Sequence, residues 1–526
     1  MSCRYYVVFK ISKIRIKSEI AIIFHEKLCR LYVFLSIFVP LLLMIASQLI
    51  LWTLIGYVGL QLMVAMVAAK GADNAAFFTA SRRVPWYVAW PAMISAAMSG
   101  ITFVSVPGSV ATDGFSYLQM VAGFTVGQCV LAFWLVPLFY RWGYRSIYEY
   151  FGDRFGAQSH RVGGWFFFLS KLAASALKLY VVVMVLQVLL FNRLGVPFWV
   201  NVALTVVVVW LSTWRGGVRS VLAVDLVKTA CMVAALLVTI YCIARSFGWS
   251  LPTMWQEVTV SPMSQIFFFD DPASDRYFWK MFVAGIVLLI AMTGLDQDMM
   301  QRNLACRSQR DAQRNILLTA LCQAVVIALF LVLGVLLYRY ADRVGMTLPE
   351  QGDDLFPQVA LLGGLPSVVT ILFVLGFAAA SFSSAGSALT ALTTSFLLDV
   401  MRSKELDEIA LQRQRRWVHA GMALSLFGLV CLFGYVANES AINLIYRVAG
   451  YTYGPILGMF LFGLWTKCQV RDRWTWLPAV AAPILSALLQ MVAERYWGVE
   501  IGFELLLYNA VLVMAGLWLL RREITA

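Results

Sequence analysis

Residues 381–395 read SFSSAGSALTALTTS, and eight of these fifteen side chains carry a hydroxyl. The stretch nevertheless lies inside an apolar run, residues 366–399, longer than the ~20 residues a helix needs to cross the hydrocarbon core of a bilayer. Hydroxyls at that depth have no water to bond with, so each requires a partner supplied by the protein or by a ligand. On a helix, Ala380, Ser383, Ser384, Ser387, Ala391 and Thr394 fall on one face, because positions three and four apart stack above one another. The segment therefore reads as a membrane helix with a polar stripe.

The rest of the chain agrees with that solvent. Hydrophobic residues make up 61% and charged residues 13% of 526 positions, with a mean hydropathy of +0.78, whereas a soluble domain carries about a quarter charged residues. Apolar runs recur at 46–68, 86–107, 117–140, 162–191, 197–213, 220–244, 279–301, 315–338, 366–399, 416–435, 441–465, 474–492 and 503–520. The expectation is an all-α polytopic membrane protein of about 13 transmembrane helices. Lys and Arg gather in alternate loops (Arg82 and Arg83; Arg141, Arg145 and Arg154; Arg302 to Arg314; Arg413 to Arg416; Lys467 to Arg473). Cytoplasmic loops hold such an excess, so the N-terminus is expected outside and the C-terminus in the cytoplasm. The formal charge of +13 is then a topology signal spread over many loops, and no nucleic-acid partner is expected.

Residues 1–43 break this pattern, carrying Arg4, Lys10, Lys13, Arg15, Lys17, Lys27 and Arg30 on the side that should be poor in them. They read as a doubtful N-terminal extension with Met44 as the expected natural start. The nine cysteines form no C-x-x-C pair and the three histidines no H-E-x-x-H. Neither a zinc site nor a membrane hydrolase is indicated, and the expectation is a protein that is not an enzyme and holds no cofactor.

A second segment offers a break in a membrane helix. Residues 86–107 read WYVAWPAMISAAMSGITFVSVP, where Pro91, Ser95, Ser99, Gly100 and Thr102 interrupt an apolar run. Unwound backbone at bilayer depth is tolerated where it lines a cavity or is buried in protein. A proline-kinked packing helix is one reading of this stretch. A binding site between a broken helix and the hydroxyl stripe is the other, since free carbonyls and paired hydroxyls are the hard oxygens a dehydrated sodium ion requires.

Five segments together, NAAFFTASRRVPWYVAWPAMISAAMSGITFVSVPGS, SIYEYFGDRFG, GGVRSVLAVDLVK, GLDQDMMQRNLACRSQRDAQRN and FSSAGSALTALTTSFLLDV, resemble the sodium:solute symporter family over nearly the whole chain beyond the N-terminal extension. The resemblance implies a LeuT-like fold of two inverted five-helix repeats with flanking helices. Here residues 44–85 form the first flanking helix and its cytoplasmic loop, 86–244 the first repeat, 245–278 an external loop, 279–465 the second repeat and 466–526 the C-terminal flanking helices. It implies a sodium site built from the carbonyls of Ser95, Met98 and Ala380 and the hydroxyls of Ser383 and Ser384. A second sodium or proton site would use Asp225 and Ser387, but the neighbouring position is Gly386, which has no side-chain oxygen, so one sodium per solute is expected.

Ser99, Thr102 and Gln119 match substrate-facing positions of that family. Where the family's sugar carriers place an aromatic ring on helix seven, this chain has Met292 and Thr293, which weakens the case for a neutral hexose. Lys171 and Lys178 lie seven residues apart on one helix face, and charge inside a membrane is costly enough to mark function. Lysines that reach toward the surface or pair with Asp225 are the alternative. The functional expectation is sodium-coupled import of a small polar solute, an anionic sugar such as a sialic acid being favoured by the lysines. A carrier-like sensor that binds without transporting is the alternative. The partners are the solute, sodium and lipid, with no obligate protein partner, in the bacterial inner membrane.

Overall fold

The computed structural model describes residues 48–522 apart from 145, 193, 273, 402–406, 437–440 and 498–504. The N-terminal extension read at 1–43 lies outside the described residues. Of two compact units, Met1–Thr53 and Leu54–Ala526, every contact described below lies within the second. All regular structure among the described residues is helical, apart from two isolated backbone bridges, Val84 with Cys306 and Val470 with Arg521.

In chain order the main helices are α1 (Gln48–Ala68), α2 (Trp86–Ala97), α3 (Gly100–Gly108), α4 (Tyr117–Trp142), α5 (Ala157–Leu186), α6 (Phe198–Thr213), α7 (Val218–Ser246), α8 (Phe278–Gly294) and α9 (Gln297–Leu304). They continue with α10 (Gln309–Arg343), α11 (Ser367–Val400), α12 (Glu408–Val436), α13 (Ala441–Trp465), α14 (Trp476–Trp497) and α15 (Leu505–Leu519). Each of the thirteen apolar segments read from the sequence falls on one of these helices or on one of the bent pairs. By length and hydropathy, eight described helices can cross a membrane, ten with each bent pair taken as one span.

The bends recur in corresponding places. The α2–α3 pair turns by 61° and the α8–α9 pair by 69°, and each pair opens one of the two stretches, 86–244 and 279–465, that the sequence resemblance assigns to the repeats. Interrupted membrane helices at matching positions of two halves mark the binding region in carriers built from repeats. Small residues let the surrounding helices close in on it. A Cβ on Gly123 of α4 would lie 2.2 Å from the carbonyl oxygen of Phe282 in α8, and one on Gly285 would lie 2.4 Å from the carbonyl of Met120. Close backbone approach of this kind is how helices associate where the hydrophobic effect offers no drive. α7 packs along α11, and α2 lies against α7 and α10, so the hydroxyl stripe faces the break rather than lipid.

Candidate functional site

The break between α2 and α3 has a local cause. Met98 is extended (φ −108°, ψ 117°) and ends α2, and Ser99 (φ −97°, ψ 171°) begins α3. Ser99 Oγ accepts from the Thr102 backbone N–H at 3.4 Å while Thr102 Oγ1 accepts from the Ser99 N–H at 3.4 Å. This reciprocal cap satisfies donors that the interruption leaves free. Gly100 lets α11 come close, since a Cβ there would sit 2.5 Å from Ser381 Oγ.

Around that break the structure gathers the predicted ion-site residues. Ser95, Ser383 and Ser384 converge on α7, where Asp225 and Lys228 are fully buried. Asp225 accepts from Ser95 Oγ at 3.1 Å and from Ser383 Oγ. Lys228 Nζ donates to the Ser95 carbonyl at 2.6 Å and to Ser384 Oγ at 3.1 Å. Ser384 Oγ in turn donates to the Ala380 carbonyl at 2.7 Å. Oxygens of Ser95, Ala380, Ser383 and Ser384 are thus brought close together, with the amino group of Lys228 among them.

The second predicted position, Asp225 with Ser387, is bridged by a guanidinium. Arg302 of α9 donates to Asp225 Oδ2 through Nε at 3.2 Å and Nη2 at 3.1 Å, to Asp298 Oδ1 through Nη1 at 2.8 Å, and to Ser387 Oγ. Ser387 also donates to Asp298. Gly386 points elsewhere: a Cβ there would meet Thr213 Cγ2 of α6 at 3.1 Å.

Of the two lysines on α5, Lys171 is paired, its Nζ lying 3.0 Å from Asp296 Oδ2 and 2.7 Å from Asp298 Oδ2. Asp296 caps α9, accepting from the backbone N–H groups of Asp298 at 2.8 Å and Met299 at 3.2 Å, and it receives the Tyr453 hydroxyl from α13. Lys178 makes no ion pair or hydrogen bond among the described residues. It lines a cavity of about 40 Å³ together with Ser99, Ser384, Ser387, Asp298 and Arg302, room for a few water molecules. Lys171, Lys178, Lys228 and Arg302 face Asp225, Asp296 and Asp298 here, an excess of one basic group.

Thr102 serves the cap, and Gln119 lies apart from the cavity. Gln119 Nε2 donates to the Arg276 carbonyl at 2.9 Å and its Oε1 accepts from the Phe268 N–H at 3.2 Å, tying α4 to the 262–277 loop. Lys228 and Arg302 were not singled out as site residues from sequence. Lys228 carried the same signal that drew attention to Lys171 and Lys178, a lysine inside an apolar run.

A model of the sodium:solute symporter family matches residues 77–471. Among curated relatives, the chain is 23% identical over 442 residues to the human sodium/iodide cotransporter, covering 82% of this chain and 66% of that protein. It is 22% identical over 420 residues to human sodium-coupled monocarboxylate transporter 2 (77% and 66%). It is 24% identical over 429 residues to the sodium/sialic acid symporter NanT of Aliivibrio fischeri (76% and 78%). The chain thus spans just under two-thirds of the length of the human relatives. A solved structure of a Na+-coupled sialic acid symporter in a substrate-bound outward-open state superposes with a TM-score of 0.77 at 18% identity, over 90% of this chain and 99% of that one. The fold is shared: an all-helical LeuT-like arrangement of two inverted five-helix repeats with flanking helices.

Proposed function

The chain belongs to the sodium:solute symporter family, and on that premise we propose that it is a secondary carrier importing a small anionic solute with sodium as the coupling ion. Lys178 is the observation that carries the anionic reading. It faces the cavity beside the broken helix and has no carboxylate partner among the described residues, while every acidic group of the cluster is already engaged by Lys171, Arg302 or a hydroxyl. A solute carboxylate or other anion would supply the missing negative charge, and a charge-assisted hydrogen bond is about twice as strong as a neutral one. Relatives named for iodide, monocarboxylates and sialic acid support an anionic class without choosing within it.

Ser99 lines the same cavity and is the neutral contact we assign to the solute. Transport follows alternating access in the bacterial inner membrane, with the N-terminus outside and the C-terminus cytoplasmic, as the loop charges favour. The test is uptake into proteoliposomes under an inward sodium gradient, screened over iodide, short monocarboxylates, sialic acid, neutral sugars and amino acids. Accumulation of one or more anions, lost when the gradient is dissipated, is the expected result. Accumulation of neutral sugars alone would refute the anionic reading.

A further inference from the structure

Lys228 stands where an ion would be held. The general device for binding a dehydrated sodium ion inside a membrane is a set of carbonyls at an interrupted helix joined by side-chain oxygens of a neighbouring helix. The α2–α3 break and the α11 stripe supply such a set. Lys228 Nζ lies 2.6 Å from the Ser95 carbonyl and 3.1 Å from Ser384 Oγ, bridging the two elements. The lysine is fully buried and comes from α7, three residues after Asp225, which holds the other serines, Ser95 through its hydroxyl and Ser383. An ion sharing the Ser95 and Ser384 oxygens would occupy the volume of Nζ. The N–H bonds of the lysine also direct positive charge at the lone pairs an ion requires. Arg302 crowds the remaining side, spanning Asp225 and Ser387, so no second set of vacant oxygens is offered next to the first.

We propose that Lys228 is the resident occupant of this ion position, so that its amino group and sodium are alternative occupants of one set of oxygens and Lys228 sets how much sodium the carrier requires. Sodium enters only when Nζ leaves Ser95 and Ser384. Asp225 lies three residues earlier on the same helix, a carboxylate that stays near the head when it leaves the serines. The inference rests on the sodium-coupled reading above and adds that this chain carries a built-in competitor for its own coupling ion.

Equilibrium binding of radiolabelled sodium to the purified protein in detergent tests this without knowledge of the solute. Lys228→Met removes the competing head and keeps much of the apolar stem. The expected result is that half-saturation falls by about ten-fold or more, equivalent to ~1.4 kcal/mol or more. Lys228→Arg keeps a cationic donor head and should bind sodium no better than the wild type. Lys228→Gln, with a neutral head, provides the same reading as Met where that variant is poorly folded. Unchanged or weaker sodium binding in both neutral variants would overturn the proposal, as would sodium binding by neither wild type nor variants over the millimolar range. Failure of every anion in the uptake screen together with a leftward shift in sodium binding would refute the solute assignment and leave this inference standing.

Discussion

Removing the guanidinium of Arg302 is the most informative perturbation of the buried network. In Arg302→Met a side chain of similar length remains, but Asp225 loses two hydrogen bonds of 3.1 and 3.2 Å and Asp298 one of 2.8 Å. At these separations each charge pair is worth roughly 5 kcal/mol at an effective dielectric near 20, before the cost of desolvation. Breaking a buried pair by deleting one partner typically costs about 3–5 kcal/mol, because the remaining charge stays buried without compensation. Asp298 keeps Lys171 at 2.7 Å and Asp225 keeps the serine hydroxyls, which places the expected loss near the lower figure, about 3 kcal/mol. The assay is a double-mutant cycle on unfolding of the purified protein in detergent, using Arg302→Met, Asp225→Asn and the double variant. Asp225→Asn should recover part of the loss, giving a coupling energy of about 1–3 kcal/mol. Additive single effects, with coupling under about 0.5 kcal/mol, would show that the Arg302–Asp225 contact does not hold α9 to α7 and would refute this account.

Three further outcomes are expected. Lys178→Met should raise the half-saturating concentration of the anionic solute by about ten- to hundred-fold, the worth of one charged hydrogen bond, with thermal stability unchanged; an unaltered solute affinity in transport assays would remove Lys178 from the site. Gln119→Ala should accelerate backbone hydrogen exchange in residues 265–278, whose Phe268 N–H and Arg276 carbonyl it holds, while leaving solute affinity within about two-fold, as expected of a residue outside the cavity. Gly123→Val should destabilise the protein by about 1–3 kcal/mol through overpacking, since its Cβ would meet the Phe282 carbonyl, and thermal unfolding in detergent measures it.

Hydropathy located the helices because bilayer thickness imposes a minimum apolar length, but it placed their ends short where polar turns extend into water. α10 begins at Gln309 and ends at Arg343 rather than at 315 and 338, its first turn capped by Ser308, whose hydroxyl accepts from the Asp311 N–H at 3.1 Å. The first interruption was legible as a cluster of Pro, Ser and Gly. Its position follows the Ser99–Thr102 cap and not Pro91, which α2 accommodates within its length. The second interruption carried a weaker sign, the acidic Asp296 before a polar turn. An N-cap aspartate in that place starts a new helix, and the 279–301 run read as one continuous span divides there. The hydroxyl stripe of α11 was legible from its spacing on one helix. Lys228 over Ser95, and Arg302 between Asp225 and Ser387, join positions 133, 77 and 85 residues apart, and no local pattern encodes which buried charges meet across such separations.

The placement of both α5 lysines joins the cavity to the start of α9 through one helix. Lys178 faces the cavity, and Lys171, two turns away on the same helix, holds Asp296 and Asp298 at the start of α9. Asp296 also receives the Tyr453 hydroxyl of α13, while Asp298 shares Arg302 with Asp225 of α7. A cavity with room for a few waters would admit a larger solute only if α5 moved relative to the α2–α3 break, α9 and α11, whose residues form the remaining walls. That movement carries Lys171 with it and strains its two carboxylate contacts. A ligand shifts such an equilibrium only by its differential affinity for the two arrangements. On the proposed anionic reading, a solute gripped by Lys178 would act on the helix whose other lysine pairs with Asp298 of α9 and with its cap, Asp296, and a neutral solute, having no comparable hold on α5, would lack that leverage.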